Sequence, residues 1–152
     1  MPPTYADSVA VAGLSELPPL ALDLLEHARV ARLGFLDDDD RPRVLPVTYA
    51  LAGGAIWSAI DDKPKRSREP ARLRYLRRSP HAALTVDRYD DDWSELAWVQ
   101  VLGTVEIVDV ADAPGALDAL CAKYEPYRKS APPGPLIRLA PDRALSWSAR
   151  SS

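Results

Sequence analysis

Apolar side chains first recur at helical spacing at Leu17, Leu20, Leu24, Leu25 and Ala28, with Pro18 and Pro19 placed where a first helical turn tolerates them. The residues before them are small and polar, with little period, which predicts a flexible lead-in over residues 1–14 and one domain over 15–152. Val30 to Leu36 is too short for a second helix and runs into the turn-forming Asp37 to Asp40, so it reads as a strand. Arg43 to Leu51 is rich in β-branched and aromatic residues, and Gly53-Gly54 leads in hairpin fashion into Ala55 to Ile60. Between Ser67 and Arg78 the period becomes helical, with Leu73 and Leu76 inward, Arg68, Arg72 and Arg74 free to stay solvated, and Pro80 as the stop.

His81 to Tyr89 and Ala97 to Asp109 return to strand composition, and the second is long enough to bend or to hold a bulge at Gly103. Asp112 then reads as the cap of a helix carrying Pro114 in its first turn and Leu117, Leu120, Cys121 and Tyr124 on its inner face, ended by Pro126. A proline-rich loop, Pro132 to Pro135, precedes two last strands, Leu136 to Leu139 and Ala144 to Ala149. Strands in runs with short links and few helices argue against repeated βαβ units. They predict a mainly β protein with peripheral helices, built as a small antiparallel barrel.

Composition narrows the chemistry. The 152 residues fit one core, and 47% hydrophobic with 27% charged residues is ordinary for a globular chain. No apolar stretch approaches the roughly 20 residues of a membrane helix, and Met1 to Gly13 lacks a secretory pattern, so the expected location is the cytoplasm, away from membranes. One cysteine, Cys121, and two histidines, His27 and His81, are a poor supply of soft metal ligands. Cys121 reads as core packing, and each histidine as solvated or hydrogen-bonded.

The net charge of −3 hides an uneven distribution. Lys63, Lys65, Arg66, Arg68, Arg72, Arg74, Arg77 and Arg78, opposed by Glu69, give residues 63–78 a charge of +7, and the remainder carries −10. Such a chain repels a long polyanion while one segment attracts anions, which argues against nucleic acid. The segment suits either a solvated helix face or a small phosphate ligand. Glycine-rich dinucleotide and P-loop motifs are absent, and no serine–histidine hydrolase motif occurs. The run Asp90, Asp91 and Asp92 lacks the glycine and distal glutamate of a calcium loop and reads as a polar hairpin.

Several pieces carry a resemblance in their order and spacing. They are Val30-Ala31-Arg32-Leu33 before an acidic turn, Arg43 to Tyr49, Asp61 to Arg68, Val86 to Trp93, Trp98 to Val105 and a closing Ser146-Trp147-Ser148. From about Leu17 to Trp147 the chain resembles the split-barrel flavin and deazaflavin oxidoreductases, the group named after pyridoxamine 5'-phosphate oxidase. It is most similar to an actinobacterial subgroup that uses the deazaflavin coenzyme F420.

The resemblance implies a split β-barrel of the FMN-binding kind with six to seven strands. It also implies a homodimer with two cofactor grooves between subunits, and hydride transfer to or from a small unsaturated or conjugated organic substrate. By the same resemblance Lys63, Lys65, Arg66, Ser67 and Arg68 hold the cofactor phosphate, which ammonium, guanidinium and hydroxyl groups suit. The ring system is expected along Pro46, Val47 and Thr48 and along Ser58, Ala59 and Ile60, although strand alternation turns about half of these away from any one ligand. Trp98 matches a position that reaches the partner subunit's cofactor, with core or dimer packing as its alternative. Trp147 is expected to cover the groove, and Trp93 to border the substrate. No side chain is nominated as catalytic, because the cofactor carries the redox chemistry. FMN is the alternative cofactor, and a non-catalytic flavin- or haem-binding barrel is the rival reading.

Overall fold

The structure is a computed structural model and describes residues 8–60 and 70–150. Among the described residues eight strands are formed, β1 (Val9–Val11), β2 (Ala31–Leu36), β3 (Pro42–Val47), β4 (Ala50–Ala52), β5 (Ala55–Ala59), β6 (His81–Arg88), β7 (Ala97–Val108) and β8 (Leu136–Ser148). Four helices, α1 (Pro19–His27), α2 (Ala71–Arg78), α3 (Pro114–Lys123) and α4 (Glu125–Lys129), lie between them. Every strand pairing is antiparallel, in the order β3-β2-β6-β7-β8-β5-β4, and β1 pairs with β8. No helix among the described residues is long and apolar enough to cross a membrane.

The strand path explains why the sheet is curled. Its two ends, β3 and β4, are separated in the chain by Thr48 and Tyr49 alone. Seven flat strands would hold those ends about 29 Å apart, whereas the short link reaches only about 11 Å. The sheet therefore bends round until its ends meet at one corner, which is the antiparallel barrel that the strand runs predicted.

The differences from the sequence reading have local causes. The expected strand Arg43 to Leu51 is divided at Thr48 and Tyr49, where the chain leaves one end of the sheet for the other. The two expected C-terminal strands are one, because β8 pairs with β7 along its whole length while its other edge takes β5 first and β1 later. Residues Val9–Val11, read as lead-in, gain ladder hydrogen bonds from that second stretch of β8. The described part of α2 begins at Ala71 behind an extended Pro70. Asp112 does not cap α3, whose N-cap is Ala113. Pro126 sits in the first turn of α4, and α3 has already ended at Lys123.

The β2–β3 hairpin is closed by Asp37, whose Oδ1 accepts the amides of Asp39 at 2.9 Å and Arg41 at 3.0 Å. The Arg41 amide, then the Asp39 amide and the Arg43 guanidinium, hold the Asp37 carboxyl below the ordinary carboxylate range against the opposing effect of burial. The acidic run at 90–92 likewise organises a turn, since Asp90 accepts the Asp92 amide and Asp92 accepts both the amide and the hydroxyl of Ser94.

Inward positions alternate along β2, β6 and β7, as a sheet with one packed face requires. They supply Leu33, Phe35, Leu84, Val86, Val99 and Val101 to a core that also takes Leu25 from α1 and Leu73 and Leu76 from α2. A second cluster, with Leu120, Tyr124 and Tyr127, lies under α3 and α4. The bulge falls where the sequence reading allowed it, with the β7–β8 register shifting between Leu102 and Gly103. A Cβ on Gly103 would stand 2.1 Å from the Ala140 carbonyl oxygen, which is backbone and has little room to yield. Gly103→Ala is therefore expected to lower stability by about 3 kcal/mol, the upper end of overpacking costs. A urea-unfolding midpoint unchanged from wild type would contradict this packing.

Candidate functional site

Four elements converge on the link between β3 and β4. The Thr48 hydroxyl is 2.6 Å from the hydroxyl of Tyr127 on α4, and the Thr48 carbonyl accepts the Ser58 hydroxyl at 2.7 Å. At the next residue the Tyr49 amide donates to the Tyr124 hydroxyl at 3.1 Å, and the single proton of that hydroxyl is within reach of the carbonyls of Arg29 at 2.9 Å and Tyr49 at 3.2 Å. The Tyr49 hydroxyl in turn donates to the Leu25 carbonyl on α1. Burial, with a smaller contribution from Tyr124, pushes the Tyr49 phenol well above its ordinary value and keeps it protonated.

A cleft of about 140 Å³ opens beside this link, lined by Val30, Pro46, Val47, Thr48, Ala59 and Arg72. Of the residues nominated by resemblance, Pro46, Val47, Thr48 and Ala59 thus line one cleft. Ser58 is buried and its hydroxyl is committed to Thr48, while Ile60 packs in the core. Lys63, Lys65, Arg66, Ser67 and Arg68 lie outside the described residues.

Arg72 is the residue that sequence reasoning missed. It was read as a solvated position, yet it is half-buried, and its Nε is fully covered with no hydrogen-bond partner among the described residues. The available signal was its place four residues before the buried Leu76, on the same side of α2. Long arginine stems commonly lie along such a border, which made the solvated reading equally natural.

Trp98 stands apart from this cleft. It pairs across the strands with Trp147, and both line a separate cavity of about 120 Å³ with Arg88, Arg150 and residues of α1. Trp93 is 53% exposed in the β6–β7 connection. Among the described residues no group of three potential metal-binding side chains comes together. His27 faces Asp23 on α1, and the Cys121 thiol lies 3.4 Å from the Tyr127 carbonyl, in line with the packing and hydrogen-bonding roles expected of them.

Behind the link sits a second unusual cation. The Lys123 Nζ is covered and has no hydrogen-bond partner among the described residues. It lies 3.8 Å from the centroid of the Tyr49 ring and 5.5 Å from that of Tyr124. Burial, helped by the nearby Arg29 guanidinium, pushes its ammonium down to about 8.

A model of the pyridoxamine 5'-phosphate oxidase family matches residues 20–144. The chain belongs to the pyridoxamine 5'-phosphate oxidase family. The family is one of flavin-binding oxidoreductases, and the eight-stranded antiparallel sheet is its split barrel. No curated protein sequence matches the chain. Among solved structures, a conserved hypothetical protein from Mycobacterium tuberculosis is 22% identical with a TM-score of 0.68, covering 84% of this chain and 82% of that one. An F420 reductase is 23% identical with a TM-score of 0.62, covering 88% of this chain and 100% of the other. An FAD-binding protein from Mesorhizobium loti is 19% identical with a TM-score of 0.61, covering 93% and 99% of the two chains. At these identities the likeness is one of fold.

Lys123 generates a stability prediction for this family member. Because its folded value lies below the unfolded one, the unfolded chain binds the extra proton between about pH 8 and 10.5, and stability rises with pH across that window. Below pH 8 the full penalty is present. After allowance for partial exposure and for the lost contact with Tyr49, Lys123→Met is expected to add about 1–2 kcal/mol at pH 7. Its advantage over wild type should shrink as pH is raised towards 10, as read from denaturant unfolding at several pH values. A variant less stable than wild type at pH 7 would show that the ammonium is a net stabilising group.

Proposed function

We propose that this chain is a homodimeric oxidoreductase that binds the deazaflavin F420 at the Pro46–Thr48 cleft and moves hydride between it and a small unsaturated or conjugated organic substrate. The observation that carries the reading is Arg72. Among the described residues the Arg72 Nε has no hydrogen-bond acceptor while the side chain lines the cleft, and an anionic ligand entering the cleft would offer the guanidinium a partner. The basic run Lys63, Lys65, Arg66 and Arg68 belongs to the segment that joins Ala59 to Arg72, both of which line the cleft. Its charge suits the phosphate and carboxylates of the deazaflavin tail, which is a longer anion than FMN.

Bound there, the deazaflavin supplies the hydride chemistry. The protein's own part is to hold the tail by charge, to offer the strand Pro46 to Thr48 to the ring, and to keep water from the reacting face.

Two observations support the dimer. β3 is one end of the strand path, without a second strand partner among the described residues, and it exposes Val44 at 64% and Leu45 at 38%, an apolar edge that a second copy would cover. Trp98 lines a different cavity from the cleft of its own chain, so a role at the cofactor requires it to act on a neighbouring subunit.

Titration of the protein with F420 and FMN at low and high salt tests the cofactor. F420 should bind more tightly and lose more affinity with salt, since more charge pairs are screened. Arg72→Gln should weaken it about tenfold or more, the loss of one charge-assisted contact of about 1.5 kcal/mol or above. Tighter FMN binding would move the assignment to FMN, and uptake of haem alone would move it to the non-catalytic reading. Sedimentation at low micromolar concentration should give a dimer that Leu45→Glu shifts towards monomer; a wild-type monomer with a complete cofactor site would overturn the dimer.

A further inference from the structure

The hydroxyl pair formed by Thr48 and Tyr127 joins the cleft to a helix far away in sequence, and its two members differ in chemistry. Thr48 lines the cleft and is half-exposed, whereas Tyr127 is buried at 8% exposure in the cluster beneath α3 and α4. They are 2.6 Å apart, so one of the two hydroxyls donates to the other. A phenol is the stronger acid and better donor, and an alkyl alcohol the better acceptor. With Tyr127 donating, the proton of Thr48 is left over. Among the described residues no other hydrogen bond uses the Thr48 hydroxyl. The Thr48 main chain is held in place, its carbonyl by Ser58 and the following amide by Tyr124, and the contact with Tyr127 holds the hydroxyl itself.

We propose that Tyr127 is a positioning residue that fixes the Thr48 hydroxyl as a hydrogen-bond donor into the cleft, so that the cleft selects a ring presenting a carbonyl-type acceptor at that point. The proposal rests on the reading of the cleft as a flavin or deazaflavin site. Both ring systems carry such oxygens on their pyrimidine edge. The direction of the pair matters for selectivity: a fixed donor rewards an acceptor and penalises a donor placed opposite it, whereas a free hydroxyl would rotate to suit either. Selection of this kind is legible only in the fold, since Thr48 and Tyr127 are 79 residues apart.

A double-mutant cycle on the full chain tests it, with F420 and FMN as probes and with both affinity and the absorption band of the bound ring as readouts. Thr48→Val should weaken binding about fivefold and shift the bound band back towards that of the free cofactor, while Thr48→Ser stays within about twofold of wild type. Tyr127→Phe keeps the buried ring and should weaken binding about threefold with a band shift in the same direction. The double variant Thr48→Val/Tyr127→Phe should bind no worse than Thr48→Val alone, because Tyr127 acts through the hydroxyl already removed. Independent, multiplicative losses would overturn the proposal, as would Tyr127→Phe binding and absorbing like wild type. Circular dichroism identifies any variant that fails to fold, and Thr48→Ser against Thr48→Val then decides whether the hydroxyl donates to the ligand, equal affinity overturning it. If wild type binds neither probe, the flavin reading falls and this proposal with it; binding that none of the variants alters overturns this proposal alone.

Discussion

Thr48 and Tyr49 carry the chain between the two ends of the strand path, and a link of that length spans only about 11 Å. The rest of the structure follows from holding it. The sheet has to curl for its ends to approach, and curling encloses the core into which α1 and α2 send Leu25, Leu73 and Leu76. A two-residue crossing also leaves main-chain groups with no ladder partner, and buried groups of that kind must be satisfied. Side chains answer them here: Tyr124 serves both polar groups of Tyr49, and Ser58 serves the carbonyl of Thr48. The helices α3 and α4 are therefore part of the closure, although neither belongs to the barrel wall.

The same crossing creates the site. Where two strands part, the surface cannot be continuous, and the gap beside Pro46, Val47 and Thr48 is the cleft. Around it the fold keeps polar groups in a state that costs stability. Among the described residues Arg72 has a covered nitrogen without an acceptor, and Lys123 has an ammonium facing aromatic rings where water or a carboxylate would serve it better. Ordinary core packing would remove both. Arg72 lines the cleft, whereas Lys123 lies against the Tyr49 ring. The hydroxyl of Tyr127 reaches Thr48 from the same helical layer, so the polarity of the cleft wall depends on residues outside it.

Long-range pairing dominates this architecture. β8 alone is bound to β7, β5 and β1, and at the register shift the Ala140 backbone leaves Gly103 no room for a side chain. A side chain there would force backbone against backbone, which ties one glycine to the bend of the longest strand pair. β3 is treated differently. With both ends of the barrel path committed to the crossing, its outer edge has no strand partner among the described residues and carries Val44 and Leu45 into the open.

Much of the fold was legible along the chain because the signals are local. The strands β2, β6 and β7, the turn at Asp37, the inward Leu73 and Leu76 and the bulge at Gly103 each depend on a few neighbouring residues, and each came out as read. The strand residues Pro46, Val47, Thr48 and Ala59 were also nominated from sequence, by resemblance, and the structure gathers them into one cleft. Other features depended on what the chain meets far away. Val9–Val11 is a strand only because β8 offers it an edge, and the Nε of Arg72 is covered only in the folded chain. Ser58 turns its hydroxyl inward because the Thr48 carbonyl needs a donor, and Tyr127 meets Thr48 across 79 residues. Periodicity reports which face of an element is apolar, so it locates the core and the turns; the pairing of particular polar atoms is settled by tertiary geometry, since every buried donor must find its acceptor wherever the folded chain brings one.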